Sequence, residues 1–211
     1  MIPKKIISCW FWKWKKNELM NMCTKSWKTF LPEYEIIEFN EDNSPMDIPF
    51  IKEMYKRKAW AFLSDYIRVR ALYNYWWVYL DTDMEILKPI DNLLKDDCFL
   101  WYDIDNYNYL NTSILWWVKW NWLLKWVLEY YDSISDLESY WLEVTWHVFN
   151  KILENKWLAD NSNQNINWVQ FYTKDYFYPY YAWWKFDRNT MIKKNTYAVH
   201  HWNNSWWYWH Q

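Results

Sequence analysis

Val78-Tyr79-Leu80-Asp81-Thr82-Asp83 sets two carboxylates two positions apart at the end of a short apolar run. The chain leaves the extended conformation there, so both oxygens can reach one hard divalent cation, Mg²⁺ or Mn²⁺. Such a cation bridges diphosphate oxygens and neutralises the charge that develops on a nucleotide leaving group. The spacing alone is a weak signal. With 15 aspartates in 211 residues, about one Asp-x-Asp arises by chance, and Asp103-Ile104-Asp105 is a second instance. Asp65 and Arg68 lie three apart and share a helical face. As a surface ion pair they would contribute a few tenths of a kcal/mol. As part of a site, the carboxylate would accept sugar hydroxyls and the guanidinium would contact a diphosphate. Near the C-terminus His200-His201-Trp202-Asn203-Asn204-Ser205-Trp206 groups two imidazoles, a hydroxyl and aromatic rings. A histidine there can complete a metal shell, and a surface or satisfied polar pair is the plainer alternative.

The elements that must carry these groups follow from periodicity. Ile6–Trp10 and Tyr34–Phe39 suit buried strands, with a helix-compatible segment at Glu18–Phe30 between them. Strand, helix, strand at this spacing suggests a βαβ unit. A helix capped or entered at Ser64 runs to about Tyr75, with apolar stripes at Leu63, Ile67, Ala71 and at Tyr66, Val69, Tyr73. Val78–Leu80 is a short strand that delivers Asp81. Further strands are predicted at Cys98–Tyr102, Ser113–Leu115, Ile166–Phe171 and Tyr197–His200, and helices at Leu123–Tyr131 and Val148–Leu153. Asp160–Asn167 reads as a polar loop. There is no internal repeat or linker, so residues 1–211 read as one domain.

Composition supports a globular chain: 52% hydrophobic, 24% charged, net charge −2. A single-strand nucleic-acid binder working through stacked aromatics would need a basic groove, and the net charge argues against it. Cys9, Cys23 and Cys98 form an odd set without metal-site spacing, which fits a reducing compartment. No stretch approaches 18 apolar residues and the N-terminus lacks a small-residue cleavage site. These features point to the cytoplasm, with peripheral attachment to the inner membrane face left open.

One pair of counts is abnormal: Gly 0 beside Trp 23. Ordinary usage would give about 15 glycines, because turns need a residue that takes positive φ without a steric penalty. The tryptophans sit where glycines are expected, in pairs at Trp76-Trp77, Trp116-Trp117 and Trp183-Trp184. Asn74-Tyr75-Trp76-Trp77-Val78 reads as a turn into a strand only if the pair stands for Gly-Gly. Deliberate replacement or a reassigned codon would produce the pattern. A reassigned codon alone accounts poorly for the complete loss of glycine.

The string Ser64-Asp65-Tyr66-Ile67-Arg68 followed by Ala71-Leu72-Tyr73-Asn74-Tyr75-Trp76-Trp77-Val78-Tyr79-Leu80-Asp81-Thr82-Asp83 resembles the signature of the DXD-containing sugar transferases of glycosyltransferase family 32. In that family the two residues before the strand are Gly-Gly. The start, Ile2-Pro3-Lys4-Lys5-Ile6-Ile7-Ser8-Cys9-Trp10-Phe11-Trp12, is similar to the family's IPKIIHYCWFG, with Trp12 at the glycine. Leu110-Asn111-Thr112, Tyr176-Phe177-Tyr178-Pro179 and the His200 to Trp206 segment match as well, so the resemblance spans nearly the whole chain. About 18 of the 23 tryptophans then fall where the family or turn chemistry places glycine, leaving Trp10, Trp27, Trp60, Trp202 and Trp206 as original.

The resemblance implies a GT-A-type α/β nucleotide-sugar-binding domain with a mixed sheet flanked by helices. It implies Mn²⁺ or Mg²⁺ and a UDP- or GDP-sugar donor. The reaction would transfer a hexose, with retention, to a glycan or lipid-linked acceptor in surface polysaccharide synthesis. Asp81 and Asp83 would bind metal and diphosphate, with His200 or His201 completing the shell. Asp65 and Arg68 would hold the sugar, Arg68 also stabilising the departing diphosphate. Tyr79 would lie near the ribose and Trp10 beside the base. Asn111 would face sugar or acceptor, and Ser205 and Trp206 would close over the diphosphate. Ile7 and Ser8 replace the family's His-Tyr, which removes a contact. Tryptophan at 76, 77 and 146 is expected to crowd the backbone beside the site. A non-catalytic carbohydrate-binding protein is the alternative.

Overall fold

The computed structural model describes residues 3–11, 13, 15–95, 98–102, 110–137, 142–153, 163–166, 169–181 and 184–203. The first strand, β1 (Lys5–Cys9), pairs in parallel with β2 (Glu35–Phe39) and with β3 (Val78–Leu80). Its centre carries Ile6 and Ile7, both fully buried, as a strand covered on both faces requires. The crossover between β1 and β2 is α1 (Glu18–Phe30), capped by the Asn17 carboxamide, which accepts from the Met20 N–H at 2.9 Å. Met20, Cys23 and Trp27 are its buried stripe. The expected βαβ unit is therefore present.

On the far side of β3 the direction reverses. β6 (Leu110–Trp117) pairs antiparallel with β3, and β5 (Cys98–Tyr102) antiparallel with β6. β8 (Val169–Tyr172) is parallel to β5 and antiparallel to β7 (Gln164–Ile166). The mixed seven-stranded order is β2-β1-β3-β6-β5-β8-β7. A separate two-stranded sheet joins β4 (Met84–Ile86) to β9 (Ala198–His200), with Met84 opposite His200. Helices α2 (Pro49–Lys56), α3 (Trp60–Tyr75), α4 (Trp122–Asp132), α5 (Thr145–Leu153) and the short α6 (Arg188–Met191) complete the chain.

The differences from the sequence reading have local causes. α3 begins one turn before Ser64, because the Ala59 carbonyl accepts from the Leu63 N–H at 3.1 Å and starts the helix there. α2 carries a sequence signal that the periodicity reading passed over, proline at the first helical position followed by buried Phe50, Ile51 and Met54. β6 runs well beyond Ser113–Leu115, since it is paired on both sides. The single strand expected at Ile166–Phe171 is two antiparallel strands. Of the polar loop expected at 160–167, Gln164–Ile166 form β7 instead, and residues 160–162 and 167 lie outside the described residues, as does the second Asp-x-Asp.

Among the described residues five have positive φ, and three are tryptophans: Trp76 (59°), Trp120 (59°) and Trp202 (51°). Trp76 ends α3 in the left-handed conformation, its N–H returning to the Leu72 carbonyl at 3.3 Å. Glycine commonly occupies this helix-ending position. The indole nitrogens divide sharply. Trp27 donates to the Met84 carbonyl at 2.6 Å and Trp202 to the Tyr180 carbonyl at 3.2 Å. The buried Nε1 atoms of Trp76 and Trp117 have no hydrogen-bond partner among the described residues. Trp76 and Trp77 enter β3 from the end away from Asp81, so the crowding expected from them falls elsewhere. Trp146 alone of the three lines the cavity described below.

Trp120 is 66% exposed, so its ring contributes little packing against the left-handed backbone penalty. Trp120→Gly is therefore expected to raise stability by about 1 kcal/mol, seen as a higher midpoint in urea unfolding at unchanged slope.

Candidate active site

β3 ends at Leu80, and the next residues turn out of the main sheet into β4. The turn is held by two backbone bonds: the Asp81 N–H donates to the Ser113 carbonyl at 2.7 Å and the Met84 N–H to the Asp81 carbonyl at 3.0 Å. Asp81 and Asp83 thus stand between the two sheets. β9 brings in His200, whose Nε2 lies 3.3 Å from Asp83 Oδ1. One ligand atom from each of Asp81, Asp83 and His200 falls within 4.8 Å of the others. Two carboxylate oxygens and an imidazole nitrogen at this separation fit a Mg²⁺- or Mn²⁺-sized cation.

His201 faces away from this cluster. Its Nε2 lies 2.9 Å from Glu85 Oε2, and Arg188 reaches both Glu85 oxygens at 2.6 Å. Burial would raise the Glu85 carboxyl, but His201 and Arg188 outweigh it and hold it below its ordinary value. Of the two histidines proposed as ligands, His200 is grouped with the carboxylates and His201 belongs to a separate ion cluster. Its backbone still serves the site, donating to the Asp83 carbonyl at 3.1 Å.

Asp65 and Arg68 are buried, 4% and 7% exposed, so the surface-pair reading does not apply. Arg68 Nη2 lies 3.0 Å from Asp65 Oδ1 and 3.4 Å from Asp81 Oδ1. Nη1 donates to the Thr112 carbonyl at 2.9 Å. Asp65 Oδ2 accepts from the Thr145 N–H at 2.8 Å. The Nε of Arg68 is buried without a partner among the described residues, on a side chain that lines the cavity. Burial works against the charge on Arg68, yet Asp81, Tyr79 and Asp65 overcome it and keep the guanidinium cationic. Burial pushes Asp65 and Asp81 upward, with Arg68 opposing in both. For Asp83, burial is outweighed by His200 and the Asn203 N–H, holding its carboxyl at about 2.

These groups line one cavity of about 790 Å³. Its wall includes Trp10, Tyr79, Asn111, Trp60 and Trp146, along with Asp65, Arg68, Asp81, Asp83 and His200. The Tyr79 hydroxyl donates to Asp81 at 2.5 Å, and its ring lies 4.5 Å from the Arg68 guanidinium carbon. Tyr79 is 1% exposed, so it supports these two charged groups from beneath. Ser205 and Trp206 lie outside the described residues. Contributions from Thr112, Thr145 and Asn203 were not legible in the sequence: each acts through a backbone group, Thr112 adding its hydroxyl 3.3 Å from Arg68 Nη1. Backbone contacts leave no residue-type signature.

Residues 17–100 match the family model described as a glycosyltransferase sugar-binding region containing a DXD motif. That stretch contains Asp65, Arg68, Tyr79, Asp81 and Asp83. Among solved structures the chain is similar to the PaToxG glycosyltransferase (13% identity, 72% of this chain and 69% of that chain, TM-score 0.56). It is also similar to the galactosyltransferase LgtC in complex with donor and acceptor sugar analogues (13% identity, 93% and 86%, TM-score 0.52). A third is the glycosyltransferase GlyE of Streptococcus pneumoniae TIGR4 (10% identity, 98% and 60%, TM-score 0.56). No curated protein matches in sequence. The shared fold is the GT-A type, a mixed sheet flanked by helices.

Arg68→Leu removes the only cation within ion-pair distance of Asp65 and Asp81 among the described residues. It is expected to cost about 3–5 kcal/mol of folding stability by leaving buried carboxylates uncompensated, measured as a lowered urea midpoint in metal-free buffer.

Proposed function

We propose that the chain is a metal-dependent glycosyltransferase that moves a hexose from a nucleotide sugar to a hydroxyl of a glycan or lipid-linked glycan. The observation that carries this reading is the convergence of Asp81, Asp83 and His200 with Arg68 and Asp65 on one cavity. Pockets of roughly 300–1,000 Å³ accommodate ligands of this size. Asp81, Asp83 and His200 would hold Mn²⁺ or Mg²⁺, which when bound supplies a Lewis acid for the departing diphosphate. Arg68 offers a fixed, permanently charged donor whose orientation is set before substrate arrives, the condition under which electrostatic stabilisation is most effective. Asp65, which lines the cavity beside Arg68, would accept sugar hydroxyls, and Trp10 would offer a ring for the base. No side-chain nucleophile is invoked, and retention of configuration is part of the proposal through the family resemblance alone. The nucleotide-sugar donor and three buried cysteines suit a cytoplasmic enzyme of surface polysaccharide synthesis. No helix among the described residues is long and apolar enough to cross a membrane.

We also infer that Trp76, Trp117 and Trp120 occupy glycine positions. Support comes from the left-handed backbone at 76 and 120 and from the buried indole nitrogens at 76 and 117, which have no hydrogen-bond partner among the described residues. A buried donor without a partner costs about 1–3 kcal/mol, and a bulky residue in the left-handed region about 1–2 kcal/mol. An intact mass of the protein from its own source below that of the 23-tryptophan chain is the expected result, and a mass equal to it would refute the inference.

A panel of UDP- and GDP-sugars is expected to show nucleotide release with Mn²⁺ or Mg²⁺ and none with EDTA. Asp83→Asn should lower release by more than about a hundred-fold. Glycan binding with no nucleotide release from any donor would instead favour a carbohydrate-binding protein.

A further inference from the structure

Behind the cavity wall, between the two sheets, lies Tyr178, 1% exposed. Its segment is stitched to β9. The Tyr197 N–H donates to the Tyr176 carbonyl at 2.7 Å, and the His200 N–H to the Phe177 carbonyl at 3.1 Å. The ring of Tyr178 meets His200 edge-on, with centroids 5.2 Å apart and planes at 72°, and lies 5.3 Å from Trp202. At the other end of the ring, the hydroxyl donates to Asn111 Oδ1 at 2.5 Å and contacts the Ser113 hydroxyl. Asn111 Oδ1 also accepts from the Ser113 N–H at 3.0 Å. Two donors on one atom identify it as the carboxamide oxygen. Asn111 lines the cavity, so the Tyr178 hydroxyl holds a side chain of the cavity wall.

We propose that Tyr178 is a positioning residue that locks the Asn111 carboxamide in one orientation relative to the Asp81, Asp83 and His200 cluster. The inference rests on the transferase reading above. Tyr178 does not line the cavity and touches no reacting atom. It spans from the His200 imidazole, grouped with Asp81 and Asp83, to the Asn111 carboxamide on the cavity wall, so one rigid ring links the two. A small displacement of a positioned group lowers turnover more than it lowers donor binding when the contact matures in the transition state.

Tyr178→Phe keeps every ring contact and removes only the hydroxyl. With the donor that the parent turns over and with Mn²⁺, this variant is expected to lower kcat about ten- to a hundred-fold and to leave KM for the donor within about two-fold. The double variant Tyr178→Phe/Asn111→Ala should be no slower than Asn111→Ala alone, because the hydroxyl acts through the carboxamide. An unchanged kcat in Tyr178→Phe, with the parent active, overturns the inference and leaves the transferase reading intact. Penalties that add in full in the double variant also overturn it, since the hydroxyl would then act elsewhere. A parent that releases nucleotide from no donor overturns the transferase reading, and this inference falls with it.

Discussion

The buried guanidinium of Arg68 is the constraint on which the rest of the site depends. It stands on α3, which packs against β1, β3 and β6, and reaches carboxylates from α3 itself and from the end of β3. A buried cation must be paired or it destabilises the fold. Pairing it with Asp81 fixes the angle at which the chain leaves β3. The Thr112 carbonyl extends the same network to β6, and the Thr145 N–H extends it to the start of α5. One charge thus links four elements, α3, β3, β6 and α5. It also leaves a cationic group on the wall of a cavity suited to an anionic donor.

The second layer of organisation is the small β4/β9 sheet. Met84, Ile86 and Ala198 are buried in the hydrophobic core, and directional contacts add to that packing. Trp27 donates to the Met84 carbonyl, Ser26 accepts from the Ile86 N–H at 2.9 Å, and Glu85 is clamped by Arg188 and His201. Asp83, in the turn before β4, pairs with His200 at the end of β9, and Glu85 on β4 pairs with His201 just beyond β9, so the adjacent histidines serve different partners.

Much of this was legible from residue types. The βαβ start, the helix bearing Asp65 and Arg68, and the short strand ending on Asp81 all follow from apolar periodicity and from the punctuation of the chain. The Asp65, Arg68, Asp81 and Asp83 set was legible because the spacing of each pair was joined to the family resemblance; with 24% of the chain charged, spacing alone is a weak signal. Other features resisted. Pairing Tyr178 with Asn111 spans 67 residues, and the N–H groups of Thr145 and Asn203 would look the same with any other side chain. The tryptophans misled in one respect: placed beside the site by their nearness to Asp81 in sequence, Trp76 and Trp77 lie at the opposite end of a three-residue strand.

The glycine deficit has a definite structural meaning. Composition marks the chain as abnormal, and local turn chemistry identifies positions 76 and 77 as turn positions. Short-range rules suffice there, because φ preference and helix termination are properties of a few adjacent residues. Long-range geometry was needed to show which indoles have partners, which histidine joins the carboxylates, and that Asp65 and Arg68 are buried. Those outcomes depend on where distant strands bring their backbone donors and on how much water remains around a charge, and neither quantity is encoded within a single stretch of chain.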